Sequence, residues 1–204
     1  MQDRLIEIAR QELAGEKRHP ARERGYTFHH GLRTARLSLW LAEELGGDVG
    51  QPMDVLFAAG LLHDVGKGEP DHHLVGARRA EKLLSGVMPS EQVAAACEII
   101  AAHCLRDLPN EHPAATRIIQ DADILDHHGA QHVWLAIYWN AHHGEPVDEL
   151  ARYHFDEENQ RWVNGSCASL NFDVAREEFD RRRAFQEQFF NQFRQELMGP
   201  WPGA

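Results

Sequence analysis

The stretch Leu61-Leu62-His63-Asp64-Val65-Gly66-Lys67 sets two adjacent metal-type ligands at the end of an apolar segment. The preceding run Val55-Leu56-Phe57-Ala58-Ala59 predicts a buried helix, with Pro52 in its first turn and Gly66 as its C-terminal cap. Imidazole and carboxylate together suit a divalent transition metal such as Mn, Fe, Co, Ni or Zn. Because two groups rarely complete a metal site, further ligands are expected elsewhere in the chain.

Length, charge and cysteine content bound the class of protein. The 204 residues, 43% of them hydrophobic, can enclose one sizeable core, and we expect a single domain over residues 1–204. A formal net charge of −11 argues against a nucleic-acid duplex or an anionic membrane as partner, because phosphate surfaces bind clustered Lys and Arg. Three cysteines without a CxxC pair, no N-terminal signal and no apolar run near the ~20 residues of a membrane span predict a cytoplasmic protein.

Apolar residues recur at helical spacing, so the expected fold class is all-α. The pattern predicts helices over about 1–14, 29–45, 52 to the His63-Asp64 pair, 72–84, 90–103, 114–127, 131–142 and 173–198. Asp173 is expected to cap the last helix, and Leu108-Pro109 marks a loop. The region near 155–170 is ambiguous, since Trp162-Val163-Asn164-Gly165 fits either a strand of a minor hairpin or an ordered loop.

Two further segments supply candidate ligands. In Phe28-His29-His30-Gly31-Leu32-Arg33, His30 and Arg33 stand three residues apart and share a helix face, with His29 as the rival of His30. In Gln120-Asp121-Ala122-Asp123-Ile124-Leu125-Asp126, acids interrupt an apolar helix. A solvated helix face accounts for Asp121 and Asp126, whereas Asp123 fits equally well as a buried acid that needs a partner or a metal.

In their order and helical placement, these segments resemble the HD-domain family of metal-dependent phosphohydrolases over about residues 26–130, which would leave 131–204 as a helical extension. The resemblance implies an HD-type helical bundle in which one ion is ligated by His30, His63, Asp64 and Asp123. His72 and His103 resemble the second-metal histidines of binuclear relatives, with His73 as the alternative to His72, so one or two ions per chain are expected. Cys104 replaces the second His of the HD-GYP branch, and cyclic-dinucleotide hydrolysis is disfavoured.

The leading functional hypothesis is hydrolysis of a nucleotide or other small phosphoester, as a phosphomonoesterase or phosphodiesterase, through metal-activated water. Asp64 and Lys67 are the expected catalytic residues, and Lys67 can also meet substrate phosphate. Arg33 either binds phosphate or holds a carboxylate behind the ligands, and the two readings are balanced. A surface role is favoured for Asp126 and His127 over a place at the pocket rim.

Two alternatives from other functional classes stay open. A similar His, His-Asp, His, His, Asp set holds two irons in HD-type oxygenases, so a di-iron oxygenase fits the same residues. A noncatalytic, metal-stabilised regulatory domain is the third reading, and it is weakened because all the expected ligands are present. A small phosphorylated substrate is the expected partner, and a homodimer is compatible with the sequence.

Overall fold

The structure, a computed structural model, describes residues 1–19, 21–106 and 111–199. Within these ranges the fold is all-α, as predicted, and no strand is present. The helices of the described residues are α1 (Gln2–Leu13), α2 (Tyr26–Glu44), α3 (Met53–Leu62), α4 (His72–Leu84), α5 (Ser90–Ala102), α6 (Ala114–Asp126), α7 (Ala130–His143), α8 (Val147–Tyr153), α9 (Glu157–Ala168) and α10 (Asp173–Met198). None of them is long and apolar enough to cross a membrane.

Helix α3 lies at the centre of the main hydrophobic core. Every residue from Val55 to Leu62 is buried, and the helix packs against α1, α2, α5 and α6. A helix that is apolar on all sides is stable only when neighbours surround it. The His63-Asp64 pair that follows is therefore delivered into the interior of the bundle.

Two glycines allow α2 and α3 to cross in backbone contact. A Cβ atom on Gly31 would lie 2.3 Å from the carbonyl oxygen of Leu61, and one on Gly60 would lie 2.8 Å from the Cα atom of Ala35. Side chains at either position would force the helices apart. This close crossing brings the residue before Gly31, His30, against the end of α3.

Gly66 does not cap α3 as predicted. The helix ends at Leu62, and His63 follows in the right-handed helical region. A Cβ atom on Gly66 would lie 2.2 Å from the carbonyl oxygen of His72 and 2.6 Å from the amide nitrogen of Gly76. The position needs glycine because α4 approaches the backbone there, not because a helix ends.

The C-terminal helices differ from the sequence prediction in three places, the first being α8 at Val147–Tyr153, where no helix was predicted. Residues 157–168 form α9 where a hairpin or loop was expected, and the Asp156 side chain caps it by accepting a hydrogen bond from the Asn159 amide. Asp173 is the first residue of α10 and pairs with Arg176, so it is not the predicted cap. The predicted loop at Leu108-Pro109 lies outside the described residues. The single-domain organisation stays a prediction, with the packing of α10 against α2 and α6 in its favour.

Candidate metal centre

Four ligand-type atoms from α2, α6 and the end of α3 lie close together. His30 Nε2 lies 3.1 Å from His63 Nε2 and 3.3 Å from Asp123 Oδ1. His63 Nε2 lies 3.7 Å from the same Asp123 oxygen. Asp64 Oδ2 is 3.9 Å from His63 Nε2 and 4.0 Å from His30 Nε2. Such separations suit atoms that each lie about 2.0–2.2 Å from one shared ion.

Hydrogen bonds on the far side of each imidazole set its orientation. His63 Nδ1 lies 2.8 Å from the Gly60 carbonyl oxygen, and His30 Nδ1 lies 2.7 Å from Asp126 Oδ2. Both partners are acceptors, so each Nδ1 donates, and the two Nε2 atoms that face each other are the positions that a proton or a cation can occupy. Outer hydrogen bonds of this kind orient metal-ligating histidines, and a cation bound between the two Nε2 atoms would replace the proton there.

The charge balance of the cluster also favours a cation. Burial lowers the pKa of His30, but its hydrogen bonds with Asp123 and Asp126 outweigh burial and raise that pKa to about 9. Burial raises the pKa of Asp64, yet His63, His103 and Lys67 hold it well below its usual value. Burial also raises the pKa of Asp123, but its hydrogen bonds with His30 and His63 hold that pKa well below its usual value. Both buried carboxylates therefore stay ionised, and a divalent ion would supply positive charge between them.

The other oxygen of Asp64 faces a second group of histidines. Its Oδ1 atom lies 3.6 Å from His72 Nε2 and 3.7 Å from His103 Nε2. His103 Nδ1 lies 2.7 Å from the Ile100 carbonyl oxygen, so its Nε2 is also the free acceptor. Cys104 forms a compact ligand-type group with these two histidines. The two oxygens of Asp64 thus face two separate groups of histidine nitrogens.

Burial separates the members of each histidine pair. His30 is fully buried in the cluster, whereas His29 is exposed and packs its ring edge against Phe28. His72 contacts Asp64, whereas His73 makes no polar contact with it among the described residues. The geometry therefore favours His30 and His72 over their neighbours.

The expectation of a solvated acidic face on α6 is wrong. Asp121 is fully buried and accepts backbone hydrogen bonds from Asn171 and Phe172, which attach the start of α10 to α6. Asp126 is only 1% exposed and accepts hydrogen bonds of 2.7 and 2.9 Å from Arg33, in addition to that of His30. Of the two roles left open for Arg33, the structure places it on the carboxylate.

Sequence reasoning missed the position of Asp126, although one signal was present. Asp126 follows Asp123 by three residues, as Arg33 follows His30, so each pair occupies one face of its helix. Because α2 packs against α6, the two faces meet and the outer pair supports the inner pair.

Lys67 and Arg106 lie on the outer side of the cluster. Lys67 Nζ is 3.0 Å from Asp64 Oδ2, and Arg106 Nη2 donates to Asp123 Oδ2 at 2.9 Å. Their side chains are 38% and 25% exposed, so both cations can be reached from solvent. Arg106 was missed because it follows α5 in a segment without helical periodicity.

His127 and Tyr26 close another side of the cluster. His127 Nδ1 lies 2.8 Å from the Asp123 carbonyl oxygen, and its Nε2 lies 3.3 Å from the Tyr26 hydroxyl. The Tyr26 ring stacks on His30 with 5.5 Å between ring centroids. Both nitrogens of His127 are thus engaged, and the residue supports the cluster from a half-buried position where a surface role was expected.

The family model for the HD domain matches residues 27–127, the part of the chain that holds all these groups. This chain is an HD-domain protein. Membership in the HD family supports a metal-dependent hydrolase in general and a divalent metal ion as its cofactor. None of the curated proteins compared with the sequence gives a significant match.

Solved structures agree with the HD fold over almost the whole chain. An HD-superfamily hydrolase from Bacillus thuringiensis gives a TM-score of 0.70 at 20% identity and covers 97% of each chain. Bacillus subtilis YpgQ in complex with ADP gives 0.68 at 19% identity, over 98% of this chain and 99% of that one. A predicted HD-superfamily hydrolase from an uncultured Thermotogales bacterium gives 0.62 at 20% identity, over 95% and 91%. At these identities the likeness establishes the fold.

Proposed function

We propose that this HD-domain protein is a phosphohydrolase that cleaves a nucleotide or another small phosphoester. The observation that carries the proposal is the cluster of His30, His63, Asp64 and Asp123. The two Nε2 atoms lie 3.1 Å apart, and each lies 3.3–4.0 Å from the facing oxygen of each carboxylate. The crystal structure of the similar Bacillus subtilis protein in complex with ADP favours a nucleotide among phosphoesters.

The chain's own residues have distinct parts in this reaction. His30, His63, Asp64 and Asp123 would hold a divalent ion, which would supply an activated water and polarise a phosphoryl oxygen. Lys67 and Arg106 flank the cluster and offer cationic donors to the substrate phosphate. Burial lowers the pKa of Lys67, but the adjacent Asp64 carboxylate outweighs burial and raises it, so the ammonium group stays charged at neutral pH.

We extend the proposal to two ions per chain. Asp64 would bridge them, with His72 and His103 as ligands of the second ion, since its two oxygens face the two donor groups. Two ions about 3.5–4 Å apart stabilise both the attacking and the leaving oxygen of a displacement at phosphorus. The same donor set suits two irons, which is the observation that keeps a di-iron oxygenase as the second candidate function.

Metal analysis combined with a substrate panel tests the proposal. Metal-loaded protein should release phosphate or pyrophosphate from nucleoside mono-, di- or triphosphates or from p-nitrophenyl phosphate. Phosphorus NMR would detect the released product. His63→Ala and Asp64→Ala should lower the rate by about 100-fold or more because each removes a ligand. His29→Ala is the matched control, since this exposed residue lies outside the cluster, and it should keep the rate.

Three results would contradict the phosphohydrolase proposal. Absence of turnover across the panel with a fully loaded protein is the first. Two bound irons with oxygen-dependent turnover would establish the oxygenase instead. The third is a chain that turns over no substrate and whose metal-free form keeps its helical circular dichroism and its affinity for ADP. That result would favour the regulatory domain.

A further inference from the structure

A second cavity, of about 550 Å³, lies beyond Asp126 and its partner Arg33. Its walls come from three helices: α2 contributes Arg33 and Arg36, the start of α7 contributes Gly129 to Gln131, and α10 contributes Arg181, Arg182 and Phe185. Cavities of 300–1,000 Å³ are typical of small-molecule sites. The volume alone does not identify a ligand, but the lining restricts its chemistry.

Positive charge is in excess around this cavity, although the chain as a whole carries a formal net charge of −11. Four arginines line it: Arg33, Arg36, Arg181 and Arg182. Two carboxylates partner them, since Asp126 pairs with Arg33, and Glu178 pairs with both Arg181 and Arg182. Arg36 is exposed and has no ion pair or hydrogen bond among the described residues. An anion is the charge class that this lining would attract.

Backbone donors at the start of α7 line the same space. The 14-residue helix α7 begins at the cavity wall, and no side chain caps it. The first amides of such a helix lack partners within it and favour an anion. His128 also lines the cavity and is 1% exposed, and its ring packs against Trp162 and Phe179. The first amides of α7 are therefore the donors that this wall offers to an anion.

The remaining wall is apolar. Leu37 and Ala130 line it, and Phe185 lies at its edge with 48% of its surface exposed. An exposed aromatic ring beside arginines provides a stacking surface for a planar group next to an anion-binding wall. We propose that this cavity, defined by Arg33, Arg36, the start of α7 and Phe185, is a second site that binds a phosphorylated ligand with a planar ring, of the nucleotide class.

The proposed site is separate from the metal centre. Arg36 follows His30 by six residues on α2, about 9 Å along the helix axis. The candidate metal-binding Nε2 atom of His30 faces His63, whereas its Nδ1 atom faces Asp126, which forms part of the cavity wall. The two sites thus share Asp126 and Arg33 as a common wall and approach it from opposite sides.

Calorimetric titration with ADP, in the presence of a chelator, tests the second site. All further substitutions are made in the Asp64→Ala variant, because it lacks the carboxylate that lies against both groups of histidines. This variant should still bind one ADP per chain. Adding Arg36→Glu should weaken that binding by about tenfold or more, since it reverses an unpaired charge in the wall. The matched control is Arg4→Glu, an exposed arginine on α1, which should leave the affinity within about twofold.

A third variant distinguishes the contribution of the arginine-lined wall to binding from that of the Phe185 ring. In the same background, Phe185→Ala should weaken ADP binding and leave the binding of inorganic pyrophosphate unchanged. Failure of the Asp64→Ala chain to bind ADP, or equal affinities for the Arg36→Glu and Arg4→Glu chains, would overturn the proposal. Equal weakening of ADP and pyrophosphate by Phe185→Ala would overturn its ring component. None of these measurements depends on turnover, so hydrolysis at the metal centre can hold while the second site fails.

Discussion

At the scale of single residues, Asp126 has the largest share in positioning a candidate ligand. Its buried carboxylate accepts hydrogen bonds from both His30 and Arg33. In Asp126→Asn, an NH2 group replaces one carboxylate oxygen, so one of the two acceptors that serve His30 and Arg33 is lost along with the negative charge. We expect metal affinity to fall by about 10–100-fold, as is usual when the outer partner of a ligating histidine is lost.

Competition with a chromophoric chelator would measure that affinity. Asp180→Asn makes the same chemical change at an exposed position on α10 and should leave metal affinity unaltered. Equal affinities for the two variants would show that Asp126 does not position His30.

The second donor group allows another single-residue prediction. If Asp64 bridges two ions, His72→Ala should reduce the metal content from two ions per chain to one, because Nε2 of His72 faces one Asp64 oxygen. His73→Ala should keep two, since this neighbour makes no polar contact with Asp64 in the described part of the chain. Mass-spectrometric metal analysis gives the count directly. One ion in the wild-type chain would remove the bridging role of Asp64.

The residues that the sequence could identify are those with local signals. His63 and Asp64 are adjacent and follow an apolar helix, and His30 belongs to a pair on a helix face. Arg106 carries no such mark, and Asp126 shows only its three-residue spacing from Asp123, because the importance of both residues depends on contacts with other parts of the chain. Arg33 and Asp126 lie 93 residues apart, and Arg106 reaches Asp123 from the segment that follows α5.

At the scale of secondary-structure elements, the crossing of α2 and α3 fixes how closely His30 and His63 approach. Gly31→Ala would place a Cβ atom 2.3 Å from the Leu61 carbonyl oxygen, so the helices must separate. We expect the free energy of unfolding to fall by about 1–3 kcal/mol or more, as overpacked cores do. Urea denaturation would measure the change.

The matched control should change the free energy of unfolding in the opposite direction. Gly165 lies in α9, is exposed, and would place its Cβ atom in open space. Gly165→Ala should therefore raise the free energy of unfolding by up to about 1 kcal/mol through helix propensity. If the two substitutions behave alike, backbone contact at Gly31 is not what limits the crossing.

The elements before Ala130 follow their sequence pattern more closely than those after it, for a physical reason. Helices α3 and α5 are marked by apolar spacing strong enough to fix their extent within a few residues. In α9 the Asn164-Gly165 pair signals a turn locally, but Asn159 and Val163 are buried on the inner face of a helix. Burial of that face outweighs the local preference, and a sequence pattern does not contain the packing partner.

At the scale of the whole molecule, three buried histidines near the C-terminal helices make stability depend on pH. Burial lowers the pKa of His128 to about 3 and those of His132 and His154 to about 4. In the unfolded chain these groups titrate near 6.5. Between pH 6.5 and 4 the unfolded chain therefore binds more protons, so the free energy of unfolding should fall as the pH is lowered.

Replacement of one of these groups isolates its contribution. His132→Phe should reduce the loss of unfolding free energy between pH 7 and 5 by about 1–2 kcal/mol, because one protonation of the unfolded chain disappears. His142→Phe changes an exposed histidine on the same helix and should leave the pH dependence as in the wild type. Denaturant titrations at the two pH values compare them, and identical pH dependences for the two variants would exclude His132 as a source.

The long chain separation between His30 and Asp126, 96 residues, has a consequence for synthesis on the ribosome. His30, His63 and Asp64 emerge while α6 is still to be translated, so the first histidine has neither Asp123 nor Asp126 beside it. An incomplete donor set binds an ion weakly. Stable metallation of the proposed centre must therefore follow release of α6 from the exit tunnel, which makes it a late event in the life of the nascent chain.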